Sequence, residues 1–195
     1  MPNLIDYAFL SAREGGRKLD GYVPNARGSG SGVTIATGFD LGQRRKSELV
    51  ALGLPHRLVQ QLEPYLGAKR RDATKLLAEK PLRISAGDAL LIDRAFKHRF
   101  VIQLASDYGA SHLNTDRTAF FDLPAEAQTV IASVAFQYGD LSSAALRFWR
   151  AVCQQDWRGA VTELRNFGDD YDSRRHLEAD LLSGILTAPV VELAR

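Results

Sequence analysis

Half of the chain's sixteen glycines fall between Gly15 and Gly42. Glycine weakens helices and permits turns and close backbone approaches. That stretch must therefore fold as turns and short strands, while the remainder, poor in breakers, is free to be helical. Within it, Tyr22-Val23 and Val33-Thr34-Ile35-Ala36-Thr37 read as strands of a small antiparallel sheet. Asp20-Gly21 reads as a hairpin turn, and Gly28 to Gly32 as a flexible tip. Before it, Leu4, Ile5, Ala8 and Phe9 recur at helical spacing and predict a helix over 4–12. Gly15-Gly16 would stop that helix and leave Glu14 at its C-terminal end.

From Arg44 onward the pattern predicts helices over 44–52, 56–66, 69–79, 85–108, 124–138, 143–153, 156–166 and 173–186. Ser85-Ala86-Gly87-Asp88 before an apolar run is a capping box. The helix over 85–108 is long enough to link two lobes. The expected class is α+β: one helix and a small sheet first, then a mostly helical second lobe. A cleft between such lobes is a common ligand site.

Composition narrows the function. The chain has 195 residues, a length suited to one domain with its own core. Lys+Arg number 25 against Asp+Glu 23, a net charge of +2. That balance is too even for a dedicated nucleic-acid binder, and no nucleic-acid partner is expected. Cys153 is the single cysteine, which excludes an internal disulfide and a cysteine zinc site. His56, His98, His112 and His176 lack metal-ligand spacing. No metal or cofactor is expected. No segment approaches the length of an apolar membrane span. Met1 to Tyr7 lacks a basic region before an apolar run and does not read as a signal peptide. The expectation is synthesis in the cytoplasm, with action elsewhere needing help from an export route.

Chemistry points back to the irregular stretch. Glu14 at a helix end, Thr34 in a strand and Asp40 just past it place two carboxylates and a hydroxyl in one region. Acid/base hydrolysis of an acetal needs one carboxyl protonated to serve the leaving oxygen and another ionised to activate water. The ordinary reading of such residues, a solvated helix end and a solvated turn, stands against it.

The residues themselves resemble a known family. Glu14-Gly15, then Gly21-Tyr22-Val23-Pro24, then Ser31-Gly32-Val33-Thr34-Ile35-Ala36-Thr37-Gly38-Phe39-Asp40-Leu41-Gly42 resemble the catalytic module of pesticin-type bacterial toxins, itself similar to phage-type lysozymes. Val134-Ala135-Phe136-Gln137-Tyr138-Gly139 is similar to the Phe-Gln-x-Gly helix end of the phage enzymes. Gln154 to Ala160, with Trp157 in a turn, and Ser173-Arg174-Arg175-His176-Leu177-Glu178-Ala179 follow their pattern in the same order. The likeness is weakest over 43–83.

The resemblance implies a bilobal lysozyme-like fold as a single domain over 1–195. Its N-terminal lobe would cover about 13–80 and its C-terminal lobe about 85–195, with the first helix packing on the latter. It implies a muramidase that cuts the β-1,4 bond between N-acetylmuramic acid and N-acetylglucosamine in peptidoglycan. Glu14 matches the general acid, Thr34 the threonine that helps hold the attacking water, and Asp40 the toxins' aspartate. The phage enzymes carry their aspartate in the hairpin, where Asp20 stands here as the alternative carboxylate. They also place a histidine where this chain has Phe39, a departure that favours the toxin branch. Arg174 matches a cation facing the glutamate, and Gln137 a group that hydrogen-bonds substrate; their ordinary readings are an exposed basic helix start and a helix-end cap. Inversion at the anomeric carbon is expected, with carboxyls about 6.5–9.5 Å apart. The setting implied is an antibacterial toxin or secreted effector, with a phage-derived endolysin close behind. Action would be in the periplasm or cell wall of a target cell, by a monomer with an inhibitor or immunity protein as possible partner. A lytic transglycosylase, a non-catalytic glycan binder on the same scaffold and membrane disruption by basic helices are the alternatives.

Basic clusters at Arg44-Arg45-Lys46, Lys69-Arg70-Arg71 and Lys97-His98-Arg99 read as solvated helix faces or as an attraction for anionic polymer. Trp149, Trp157 and Cys153 read as core. Gly28, Gly30 and Gly32 open no helix and so are not a dinucleotide fingerprint.

Overall fold

A computed structural model describes residues 2–12, 16–24 and 30–187. The chain divides into two compact units, Ser11–Phe100 and Met1–Leu10 with Val101–Arg195. The first unit holds β1 (Lys18–Tyr22), β2 (Thr34–Ala36), β3 (Phe39–Asp40), α2 (Lys46–Ala51), α3 (His56–Leu62), α4 (Arg70–Glu79) and the start of α5 (Ala86–Ala110). The second holds α1 (Tyr7–Ser11) up to Leu10, the end of α5, α6 (Ala125–Tyr138), α7 (Leu141–Ala144), α8 (Leu146–Cys153), α9 (Trp157–Arg165) and α10 (Asp172–Thr187). Short 3-10 turns cover Leu41–Gln43, Glu63–Tyr65 and Phe120–Asp122. This is the α+β arrangement the glycine distribution predicts.

In the sheet unit the strand order is β1-β2-β3, antiparallel throughout. Tyr22 lies opposite Thr34, and Thr34 opposite Asp40. Gly38, at φ +83°, makes the turn between β2 and β3, in the left-handed region that glycine enters without strain. Val33, Ile35, Phe39 and Leu41 bury against Leu58 and Leu62 of α3 and Ile92 of α5. Fully burying side chains of this size contributes about 1.5–3 kcal/mol each.

Asp20-Gly21 is not the predicted turn. Both residues lie inside β1, which is flanked by Leu82–Ile84. The Gly21 N–H donates to the Leu82 carbonyl at 2.8 Å and the Ile84 N–H to the Leu19 carbonyl at 2.9 Å. A side chain at Gly21 would stand 3.1 Å from Leu77 and Val33 and 3.2 Å from Leu82. The glycine answers to packing, not to backbone reversal.

The first helix starts at Tyr7, not Leu4. The Asp6 carboxylate accepts from the N–H groups of Ala8 (2.8 Å) and Phe9 (2.9 Å), an N-cap that sets the start. The residues before it are not helical, with the Leu4 N–H donating to Gln128 Oε1 at 3.0 Å and the Asp6 N–H to Thr129 Oγ1 at 2.9 Å. The predicted stop at Gly15 lies outside the described residues.

The helical unit is built around α6, whose residues from Ala127 to Ala135 are all buried. A helix buried on every side has no amphipathic stripe. α10 packs on α6 and α9, and α9 on α8. The helix predicted over 143–153 is two, broken at Ala145 (φ −144°, ψ 51°). Asp140 caps the first piece, accepting from the Ser142 N–H at 2.9 Å. Trp149 is buried edge-on to Tyr108, with centroids 5.9 Å apart; Trp157 is half-buried. Burial pushes the Cys153 thiol up. The Ser85 capping box is present: the Asp88 N–H donates to Ser85 Oγ at 3.0 Å and that hydroxyl donates to Asp88 Oδ2 at 2.7 Å.

Candidate active site

Asp40 ends β3 and caps the 3-10 turn after it. Its Oδ1 accepts two backbone amides, Gly32 N–H at 3.0 Å and Gly42 N–H at 2.8 Å. Those glycines touch. A side chain on Gly32 would meet the Ala68 carbonyl at 2.3 Å and Gly42 Cα at 2.5 Å. Only hydrogen fits there, so the two backbones converge and aim both amides at one oxygen. Oδ2 accepts no hydrogen bond from a described residue. Asp40 is thus a half-buried carboxylate with one oxygen fixed and one left over.

Thr34 is its direct cross-strand partner. The residue is 2 % exposed, and its hydroxyl donates to the Gly32 carbonyl at 3.2 Å. The hydroxyl oxygen still has acceptor capacity. Asp20 stands on the far strand, largely exposed, with both carboxylate oxygens accepting from Arg83 Nη1 at 2.8 and 2.9 Å. An exposed pair of that kind contributes little. Glu14 lies outside the described residues.

A carboxylate that sequence reading did not single out ties this region together. Asp93, on α5, is nearly buried. It accepts from the Thr37 N–H (3.0 Å), the Thr37 hydroxyl (2.7 Å) and Arg17 Nε (2.9 Å). One side chain thereby anchors the β2–β3 turn and a residue three positions after Glu14. Its signal in the sequence was an acid set between Ile92 and the apolar Ala95 and Phe96.

In the helical unit the residues from Arg174 to Glu178 form an ionic cluster. Arg174 is half-buried, with Nε donating to Glu178 Oε1 at 3.1 Å and Nη2 to the Ser133 carbonyl at 2.9 Å. It is not the exposed helix start of its ordinary reading. Its neighbour Arg175 is 1 % exposed. Arg175 donates to Asp169 Oδ2 at 3.0 Å, to Glu178 and to Gln137 Oε1. Its guanidinium packs against the neighbouring rings of Tyr138 and Phe167, 5.4 and 4.7 Å from their centroids. Burial alone would lower the Arg175 pKa, but Glu178 and Asp169 outweigh it and raise it. Burial likewise pushes the Asp169 carboxyl up, and the hydrogen bonds from Tyr138 and Arg175 reverse that to a net lowering. Gln137 is no helix cap: its carbonyl oxygen is committed to Arg175, and its amide nitrogen donates to no described residue.

Of the basic clusters, Arg44 is not simply solvated. Its guanidinium lies over Phe39 and Phe96 at 5.3 and 4.9 Å. Lys97 is buried. Among the described residues no three His, Cys, Asp or Glu side chains converge as metal ligands, and no helix is long and apolar enough to cross a membrane.

A unit with a three-stranded antiparallel sheet that sets a threonine opposite an aspartate, in a chain whose other unit is helical, is the arrangement of a lysozyme-like α+β protein. The family model named Pesticin, described as a bacterial toxin homologue of phage lysozyme, C-terminal, matches residues 4–158, and the chain belongs to that family. The match takes in Glu14, Asp20, Thr34, Asp40 and Gln137, and ends before Arg174. No curated protein matches the chain.

Proposed function

We propose that the protein is a muramidase that hydrolyses the β-1,4 bond between N-acetylmuramic acid and N-acetylglucosamine in peptidoglycan. The observation that carries this reading is the pairing of Thr34 with Asp40 on one hairpin, with Asp40 fixed through one oxygen and, among the described residues, open at the other. A base for water needs that combination: an orientation set by the scaffold and one unsatisfied acceptor. Asp20, exposed and spent on Arg83, is the weaker second carboxylate.

Glu14 protonates the glycosidic oxygen as the bond to C1 breaks. Asp40 takes a proton from the water that attacks C1 from the opposite face, with Thr34 helping to hold that water. The anomeric centre inverts, and the two carboxyls return to their starting states by proton exchange with solvent. Arg174 and the amide nitrogen of Gln137 are the groups we assign to the glycan in the helical unit. The setting is antibacterial: the enzyme acts as a monomer in the periplasm or cell wall of a target cell, and its producer carries an inhibitor that blocks the site.

The test is clearing of outer-membrane-stripped sacculi by wild type and by Glu14→Gln, with analysis of the sugars released. Clearing by wild type alone, with reducing muramic-acid ends, is expected. Anhydro-muramic ends would replace hydrolysis with transglycosylation. Binding of sacculi without any clearing would make the protein a glycan binder.

A further inference from the structure

The sheet unit carries an open pocket of about 920 Å³ lined by Gly30, Gln43, Gly67, Ala68 and the run from Lys69 to Asp72. It is built on the corner that holds Asp40. Gly32, whose amide Asp40 accepts, pairs with Lys69 in a β-bridge, and the Arg70 N–H donates to the Ser31 carbonyl at 2.9 Å. Gln43 directly follows Gly42, the other amide on Asp40. Its side chain spans the wall, donating to the Gly30 carbonyl at 3.0 Å and accepting from Lys69 Nζ at 2.8 Å.

The pocket's charge is unspent. Among the described residues, none of Lys69, Arg70 and Arg71 is ion-paired, whereas Arg17, Lys46, Arg57 and Arg83 of the same unit all have carboxylate partners. Three cations around one concavity attract a multiply anionic group. Asp72 in the same lining adds one acceptor for a cation. A phosphodiester chain has no use for that carboxylate. A short peptide bearing both carboxylates and an amine does.

We propose that this pocket binds the peptide stem of peptidoglycan, with stem carboxylates on Lys69, Arg70 and Arg71 and the amine of the stem's diamino acid on Asp72. The site rests on the muramidase reading, because the stem is attached to the muramic acid whose bond is cut. It makes the enzyme selective for stem-bearing glycan over bare glycan.

The test compares wild type, the double variant Lys69→Gln/Arg71→Gln, and Asp72→Asn on two substrates: stem-bearing sacculi fragments, and glycan chains stripped of stems by an amidase. The double variant should raise the half-saturating concentration of stem-bearing glycan about tenfold, the scale of one or two lost charge-assisted bonds. It should leave kcat and the stripped substrate unchanged. An equal loss on both substrates, or none on either, overturns the proposal. A parallel NMR titration adds the free tetrapeptide L-Ala-D-Glu-diaminopimelate-D-Ala or a poly(glycerol phosphate) to the whole protein. Shifts of the Gln43 and Gly67–Asp72 amides with the tetrapeptide are expected, weakened in Asp72→Asn. Shifts with the polyphosphate alone overturn it. If wild type cuts neither substrate, the muramidase reading falls, and the titration still decides the pocket.

Discussion

Asp40 in the sheet unit and Arg175 in the helical unit are both charged side chains held by hydrogen bonds, and the two are used in opposite ways. Arg175 has every nitrogen engaged and two rings packed against its guanidinium. Nothing is left for a ligand, so its work is to join α6, α10 and the loop at Asp169. Asp40 is anchored by two amides on one oxygen and, among the described residues, keeps the other. A saturated ion is scaffold, and a half-saturated one is available for chemistry. The distinction predicts which substitutions harm activity and which harm folding.

The largest effect is expected at Asp40. Asp40→Asn retains an oxygen that accepts both glycine amides, so the corner should hold. It loses the base, and hydrolysis of sacculi should fall by about 10²–10⁴-fold. The measurement is kcat alongside thermal unfolding. Full activity in a folded Asp40→Asn would remove Asp40 from the mechanism and return the role to Asp20. A collapse of stability instead would class Asp40 with Arg175.

Next comes Arg175→Met. It removes one charge of a buried cluster, leaving Glu178 with Arg174 as its one cation and Asp169 with none among the described residues, which is expected to cost about 3–5 kcal/mol. Denaturant unfolding reads this directly. The kcat of the surviving folded fraction should be close to wild type. A loss under about 1 kcal/mol would mean the cluster relaxes or hydrates when opened, and the contrast with Asp40 would fail.

How far the sequence foretells the two regions follows from where their partners lie. The helices from α2 to α10, apart from the division between α7 and α8, were legible because periodicity and breakers are local signals, as was the capping box, with Ser85 and Asp88 three residues apart. Asp40 and Thr34 were legible through family motifs and lay in one short stretch of sequence, while their cross-strand pairing comes from a further strand at Phe39–Asp40 that the residue pattern did not announce. The role of Asp40 Oδ1 was hidden, since it depends on Gly32 and Gly42 meeting against the Ala68 carbonyl. Arg175 was hidden entirely. Its neighbour Arg174 drew attention by motif, while the burial of Arg175 depends on Gln137 from another helix and on two rings that pack against it. Asp20-Gly21 misled because Asp-Gly is a good turn pair; its use within a strand is decided by Leu77 and Leu82. The break at Ala145 has no breaker residue to announce it.

The smallest effect sharpens the comparison at an intermediate case, the start of α5. Asp88 is nearly buried and receives Arg57 Nη2 at 2.6 Å and Nη1 at 3.2 Å. Its carboxyl lies below the ordinary carboxylate range, first because Arg57 hydrogen-bonds it and then because Ser85 does. A value depressed in the folded state gives stabilisation that is complete above the unfolded value of about 3.9 and is lost as pH falls through the folded value. Ser85→Ala removes two bonds of different kinds. The bond from the Asp88 N–H to the hydroxyl is a cap and does not depend on pH. The bond from the hydroxyl to the carboxylate does. The variant should lose about 1 kcal/mol at pH 7, and its deficit relative to wild type should shrink, without vanishing, as the pH is lowered from 4 towards the acid limit of folding. Thermal unfolding across that range measures it. A deficit that stays constant would assign the whole effect to the cap, leaving Arg57 and the Ser85 backbone amide to hold the carboxylate in its charged form.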